Sequence, residues 1–370
     1  MSNDEQPLRR GWTTGTCAAA AAKAACAALL TGEFPDPVTV TLPGGQTPSF
    51  SLARWELRHG EALAAVVKDA GDDPDVTHGA VMTAIVRRAP QGAGIVFRAG
   101  SGVGTVTLPG LPMPPGEPAI NPVPRRMITQ GIAEVAGEGC DFEVEISVPG
   151  GEEMARRTLN GRLGVVGGIS VLGTTGIVVP YSCSAWIHSI HRGIDVARAA
   201  GLSHVSGATG SVSEAAAQKF HGLPDIALID MGDFVGGMLK YIRAHPVPRV
   251  TIAGGVAKMS KLAQGMLDVH SARGAPDQAM LAGFALEQGA NPDLAERIGN
   301  ANNVAEAFHI AQENGFRIGD LVAEKAWETA APLLRDADVE LEILVFDRTG
   351  ELMGRAPFRR HDASRPLNRR

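Results

Sequence analysis

Four carboxylates and a histidine crowd one short turn of this sequence, Lys68-Asp-Ala-Gly-Asp-Asp-Pro-Asp-Val-Thr-His-Gly79. Clustered acids raise one another's pKa, which is how a general acid or base is prepared near neutrality. Asp72, Asp73 and His78 are therefore the candidate catalytic groups. A calcium-type loop is the competing reading, but no glutamate closes the turn at EF-hand spacing, and no metal is assigned. A second stretch, Arg162 to Pro180, breaks an apolar run with glycines and hydroxyls. Gly167, Gly168 and Gly173 remove Cβ atoms that would hold a ligand off the backbone, while Ser170, Thr174 and Thr175 add hydroxyls beside exposed N–H groups. Such loops hold anions or nucleotide-like ligands. Neither a G-x-G-x-x-G opening a helix nor a G-x-x-x-x-G-K-[ST] is present, so generic dinucleotide and NTPase readings start weak.

Three further loops follow strand-like runs. Gly207-Ala-Thr-Gly-Ser211 contributes Gly207, Thr209 and Ser211; the second offers Asp230 and Asp233, and the third ends at Lys258. Ligands of open α/β sheets sit outside the carboxyl ends of the strands, where helix N-termini favour negative groups. Asp230 and Asp233 stand where an acid can take ribose hydroxyls, with helix capping by Asp233 as the alternative. Lys258 and Lys261 near a helix start oppose its macrodipole, which suggests an anionic ligand. Gly116-Glu-Pro-Ala-Ile-Asn-Pro-Val-Pro-Arg-Arg126 is stiffened by prolines around Glu117, Asn121, Arg125 and Arg126, with a rigid connector as the bland alternative.

The elements that position these groups fall into two kinds. Residues 1–155 predict an α+β domain: Thr16 capping a helix of high alanine content, strands at Val38–Leu42, Ser49–Leu57, Ala62–Val67, Val81–Arg87 and Gly94–Arg98, a helix over Arg125–Ala136 and a strand at Phe142–Val148. Residues 156–370 alternate apolar strands and helices and predict an α/β domain with a mainly parallel, Rossmann-like sheet. Its strands are expected at Val165–Val166, Ile177–Val179, His204–Ser206, Ile226–Ile229 and Val250–Ile252, with a pair at Glu340–Asp347 and Glu351–Arg355. One of its helices is expected over Lys258–Val269. From Phe358 the basic tail reads as a solvated end.

Composition narrows the partners. A chain of 370 residues exceeds what one core usually serves. Aromatics are only 5% and the net charge is −6, which argues against nucleic acid and means that an anionic ligand must be met by local cations. Cys17, Cys26, Cys140 and Cys183 form no C-x-x-C pair, which argues against zinc or a disulfide framework. No stretch reads as a signal peptide or a membrane span, so a reducing cytoplasm is the expectation, and homo-oligomerisation stays open.

These segments together resemble the cobalt-precorrin-5B C1-methyltransferase family of anaerobic-type cobalamin biosynthesis. The resemblance rests on Gly11-Trp-Thr-Thr-Gly-Thr-Cys-Ala18, Lys68–Thr77, Gly116–Arg126, Leu163–Pro180 and, more loosely, Gly254–Ser271. It implies methyl transfer from S-adenosylmethionine to C1 of a cobalt-containing, ring-contracted tetrapyrrole. The cofactor would lie on the Gly164–Gly176 loop with Gly207–Ser211 and Asp230–Asp233. Thr13, Thr14, Thr16, Glu117, Asn121, Arg125, Arg126, Lys258 and Lys261 would face a substrate rich in carboxylates, which arginine matches in a bidentate fork. Where the family suggests a Gly-His-Ile-Gly-Lys-like stretch, this chain reads Gly254-Gly-Val-Ala-Lys258 and has no histidine. A nucleotide-linked oxidoreductase and a non-enzymatic tetrapyrrole carrier are the rival readings.

Overall fold

The computed structural model describes residues 7–270 and 274–361, so Ser271 lies outside the described residues. The chain divides into two compact units, Met1–Cys183 and Ser184–Arg370. The first begins with β1 (Gly11–Trp12) and α1 (Thr14–Thr31). Among the described helices only α1 is long and apolar enough to cross a membrane, and 72% of it is buried inside its unit. A helix apolar on all sides needs such cover, and its alanines let neighbours approach closely. After the antiparallel pair β2 (Val38–Thr39) and β3 (Ser49–Phe50) come β4 (Arg54–Arg58), β5 (Glu61–Val67), β6 (Val81–Arg88) and β7 (Ile95–Ala99). The short strands β8 (Gly102–Val103) and β9 (Thr105–Val106) precede α2 (Pro122–Ala136) and β10 (Phe142–Ser147). The main sheet has the order β4-β5-β6-β10-β7. Its inner face, including Met82, Val86, Val144 and Ile146, shares one core with α1 and α2.

After α3 (Gly151–Ala155) the chain does not enter a second domain at residue 156. β11 (Val165–Val166) pairs with β9, β12 (Gly168–Ile169) with β8, and β13 (Ile177–Val178) with β1. Each forms a separate two-stranded sheet with a strand from earlier in the first unit. The boundary lies at 183/184, and the glycine-rich loop belongs to the first unit.

The second unit runs α4 (Cys183–Ala199), β14 (His204–Ala208), α5 (Ser211–His221), β15 (Leu228–Asp230), α6 (Val235–Ala244), β16 (Arg249–Gly255) and α7 (Val256–Ala263). It continues through α8 (Gln278–Glu287), α9 (Pro292–Gly299), α10 (Val304–Glu313) and α11 (Ile318–Ala330) to β17 (Glu340–Phe346) and β18 (Leu352–Arg359). This is an α/β unit with a mixed sheet of order β15-β14-β16-β17-β18, parallel except for the antiparallel edge strand β18. Helix α7 ends at Ala263, short of the expected Val269, because Gly265 turns the chain with φ 92°. Phe358 and Arg359 belong to β18 and not to a solvated tail; residues 362–370 lie outside the described residues.

Candidate functional site

Four of the segments that carry the resemblance meet in the first unit. Thr13, and not Thr16, caps α1, its Oγ1 accepting from Thr16 N at 3.2 Å. Thr16 Oγ1 donates to Gly176 O at 2.7 Å. Thr14 Oγ1 donates to Leu172 O at 3.2 Å and accepts from Leu172 N at 2.9 Å. The helix start thus clasps the glycine-rich loop, and Gly173, at φ 131°, is required because a Cβ there would lie 2.4 Å from Thr13 Oγ1. Asn121 donates to Val171 O from its backbone (2.9 Å) and from Nδ2 (3.2 Å).

Most of these polar groups are consumed by the architecture. Thr13, Thr14 and Thr16 are buried, the hydroxyls of Thr14 and Thr16 spent on the loop and that of Thr13 on the helix cap, which removes them from the substrate-binding set. Glu117 pairs with Arg125 at 3.0 Å, and Arg125 Nε donates to Ile120 O at 2.9 Å, so this pair locks the proline-rich loop. Arg126, by contrast, is exposed near the start of α2 and has no carboxylate partner among the described residues. Gly168 serves a close strand contact, since a Cβ would lie 2.2 Å from Gly102 O. Ser170 Oγ bonds Asn160 Oδ1 at 3.4 Å. Gly167, Thr174 and Thr175 face solvent, although Thr175 Oγ1 also accepts from Ile177 N at 3.2 Å.

The acidic turn departs from expectation in its electrostatics. Lys68 and Arg9 supply the cations that the sequence reading left out. Hydrogen bonds from Arg9, then from Gly71 N, hold the Asp69 carboxyl down at about 2. Burial pushes Asp75 up, but Lys68 and Thr77 outweigh it and leave the carboxyl below its usual range. Asp72 accepts from Arg9 N at 2.6 Å and Asp73 from Tyr181 N at 2.9 Å. His78 Nδ1 accepts from Ala70 N at 3.1 Å, so a neutral ring carries its proton on Nε2 and has no free lone pair for a substrate proton. Each candidate base is a tie for neighbouring backbone. Tyr181, which no sequence pattern singled out, adopts φ 55° beside Asp73.

In the second unit the three loops do converge. Lys258 Nζ donates to Thr209 O at 2.7 Å and pairs with Asp233 Oδ1 at 2.9 Å. Asp233 does not cap α6, whose first turn takes no side-chain hydrogen bond. Lys261 is buried and donates to His270 O at 3.0 Å, so it tethers the chain after α7 and cannot meet a substrate. Gly207 is needed for packing, because a Cβ would lie 2.3 Å from Met238 Sδ. Asp230 O accepts from Trp186 Nε1 at 3.1 Å.

Numbered along this unit, the sheet order is 2-1-3-4-5, with the reversal between β14 and β16. Connections leave to opposite faces there and open a crevice at the carboxyl ends. A cavity of about 820 Å³ lies there, lined by the starts of α5 and α7, including Thr209, Ser211 and Lys258. A Cβ built at Gly210 or Gly255 would meet nothing within 4 Å, so the backbone of both helix starts is open to a ligand. The remaining walls come from α10 and the turn after β17. They join the cavity from 45 residues or more beyond the start of α7, and no local spacing signals them.

The CbiD family model matches residues 1–180 and the CbiD C-terminal domain model residues 268–357. A curated relative from Agrobacterium fabrum, named cobalt-precorrin-5B C(1)-methyltransferase, is 66% identical over 96% of this chain and 94% of its own. The chain belongs to the CbiD family. A second relative of that name, from a Bradyrhizobium species, is 59% identical to this CbiD chain over 99% of it and 98% of the relative. A crystal structure of the cobalamin biosynthesis protein cbiD from Archaeoglobus fulgidus is 32% identical, with TM-score 0.39, covering 67% of this CbiD chain and 77% of that one.

Proposed function

We propose that this CbiD protein transfers a methyl group from S-adenosylmethionine to C1 of cobalt-precorrin-5B, giving cobalt-precorrin-6A in cytoplasmic cobalamin biosynthesis. Near-full-length identity of 66% to a curated methyltransferase carries the reaction. The cofactor site we place at the switch point of the Rossmann-like second unit, on Thr209, Gly210, Ser211 and the start of α7. The open helix starts and the cavity volume fit a nucleoside with an anionic end. For the tetrapyrrole we assign Arg126, Thr174 and Thr175 of the first unit, which architecture leaves exposed. The sulfonium supplies an activated methyl group; the chain's own work is to hold donor and acceptor in line and keep water out.

A titration with S-adenosylhomocysteine, followed by a search for the methylated product by mass, tests the proposal; no binding and no product would sink it. Replacing Arg126 by Gln should raise the tetrapyrrole KM about tenfold and leave S-adenosylhomocysteine affinity unchanged, since a charged hydrogen bond contributes roughly 1.5–3 kcal/mol. A fall in cofactor affinity instead would overturn the assignment to substrate. Asp72→Asn and Asp73→Asn should each keep single-turnover rates within about threefold, whereas a general base would cost about 10² to 10⁴-fold. A loss of that size in either variant would return the acidic turn to the chemistry.

A further inference from the structure

Two side chains on the far walls of the second unit's cavity stand out once those already engaged are set aside. Lys258 is spent on Thr209 and Asp233, and His309 pairs with Glu313 at 3.1 Å. Arg348 lines the cavity, is exposed and has no carboxylate partner among the described residues. Its turn is rigid: Asp347 Oδ1 accepts from both Thr349 N and Glu351 N at 2.8 Å. That leaves Asp347 spent and Arg348 as a cation on a fixed base. Across the cavity Glu306 is held in one orientation, its Oε2 accepting from Asn302 N (2.7 Å) and Nδ2 (2.8 Å), while Oε1 has no partner among the described residues.

We infer that Glu306 and Arg348 grip the two polar ends of S-adenosylmethionine, Glu306 taking the ribose diol and Arg348 the carboxylate of the amino-acid end. The inference rests on the cofactor reading above and goes beyond it, because Asp230 and Asp233, expected at the ribose, do not line the cavity. The chemistry is complementary. A diol presents two O–H donors that an oriented carboxylate accepts, and a guanidinium matches a carboxylate in a two-point fork. Apolar side chains of Val212, Val256 and Met353 line the same space and suit the base.

Calorimetric titration with two probes separates the roles. S-adenosylhomocysteine carries both ends, whereas 5′-methylthioadenosine keeps the ribose and lacks the amino-acid end. Arg348→Gln should weaken S-adenosylhomocysteine tenfold or more and leave methylthioadenosine unchanged. Glu306→Gln should weaken both tenfold or more, with melting temperatures near wild type; Glu306→Asp, which keeps the charge on a shorter stem, serves if the Gln variant unfolds, and it should weaken both probes to a lesser degree. Unchanged affinities in the variants, with wild type binding normally, would overturn this inference and leave the cofactor reading standing. Wild type binding neither probe would remove the cofactor reading itself, and this inference with it.

Discussion

Lys68→Ala is expected to lower the melting temperature of the first unit by about 10 °C. Lys68 is 1% exposed, and its ammonium lies 2.7 Å from Asp75 Oδ2, while Asp75 Oδ1 accepts from Thr77 N at 2.7 Å and Thr77 Oγ1 at 2.6 Å. Removing one member of a buried pair strands the other and typically costs about 3–5 kcal/mol. At roughly 2–4 °C per kcal/mol for a unit of this size, the shift is easily read in a thermal scan. Lys68→Met tests the cause, since it restores the volume without the charge. Lys68→Met with Asp75→Asn should be more stable than Lys68→Met alone, because the stranded carboxylate is gone. The pH dependence has a definite sign. The folded carboxyl of Asp75 lies below its unfolded value, so its stabilisation is present above the unfolded pKa and is lost as pH falls through the folded one. A melting temperature within 2 °C of wild type for Lys68→Ala would refute this account of the turn.

Acid should destabilise the second unit through His204. Its Nε2 lies 2.9 Å from Thr251 Oγ1, and Thr251 in turn donates to Glu342 Oε2 at 2.9 Å, so the ring donates from Nε2. Burial, followed by the nearby His221, pushes the imidazole down to about 4. The unfolded chain takes up the proton near pH 6.5 and the folded chain refuses it until about 4. Stability is therefore complete above about pH 6.5, falls through the interval, and levels off below it. One pKa unit corresponds to about 1.36 kcal/mol, so the whole interval is worth about 3 kcal/mol. His204→Gln keeps a donor for Thr251 and removes the titration. Urea unfolding between pH 7 and 4.5 should then show a shallower pH dependence in the variant, and equal slopes in the two proteins would exclude His204 as the source.

Much of this protein was legible in its sequence wherever the signal is short-range. The alanine run of α1 declares a helix through propensity, the alternation of β6 and β10 declares strands through a period of two, and the strand–loop–helix rhythm after His204 declares an α/β unit. The same rhythm placed three loops at one sheet edge, but Lys258, expected to face a substrate, ties those loops together through Thr209 O and Asp233. The family, too, could be read from four short segments, which the fold gathers in the first unit. Tertiary structure decided which of the polar residues remain available. Thr13, Thr14, Thr16 and Arg125 look like ligands for a substrate until the Leu172–Gly176 loop and the Ile120 carbonyl arrive to claim them. Asp69 and Asp75 look like acids of raised pKa until Arg9 and Lys68 neutralise them. The glycine-rich loop reads as part of the second domain until β11, β12 and β13 pair with short strands of the first. Glu306 and Arg348 carry no motif at all and come to the cavity only through the packing of α10 and the β17–β18 turn. The physical reason is common to these cases: propensity and periodicity act over a few residues, whereas a hydroxyl, carboxylate or guanidinium bonds whatever donor or acceptor the fold brings within 3 Å, from any distance along the chain.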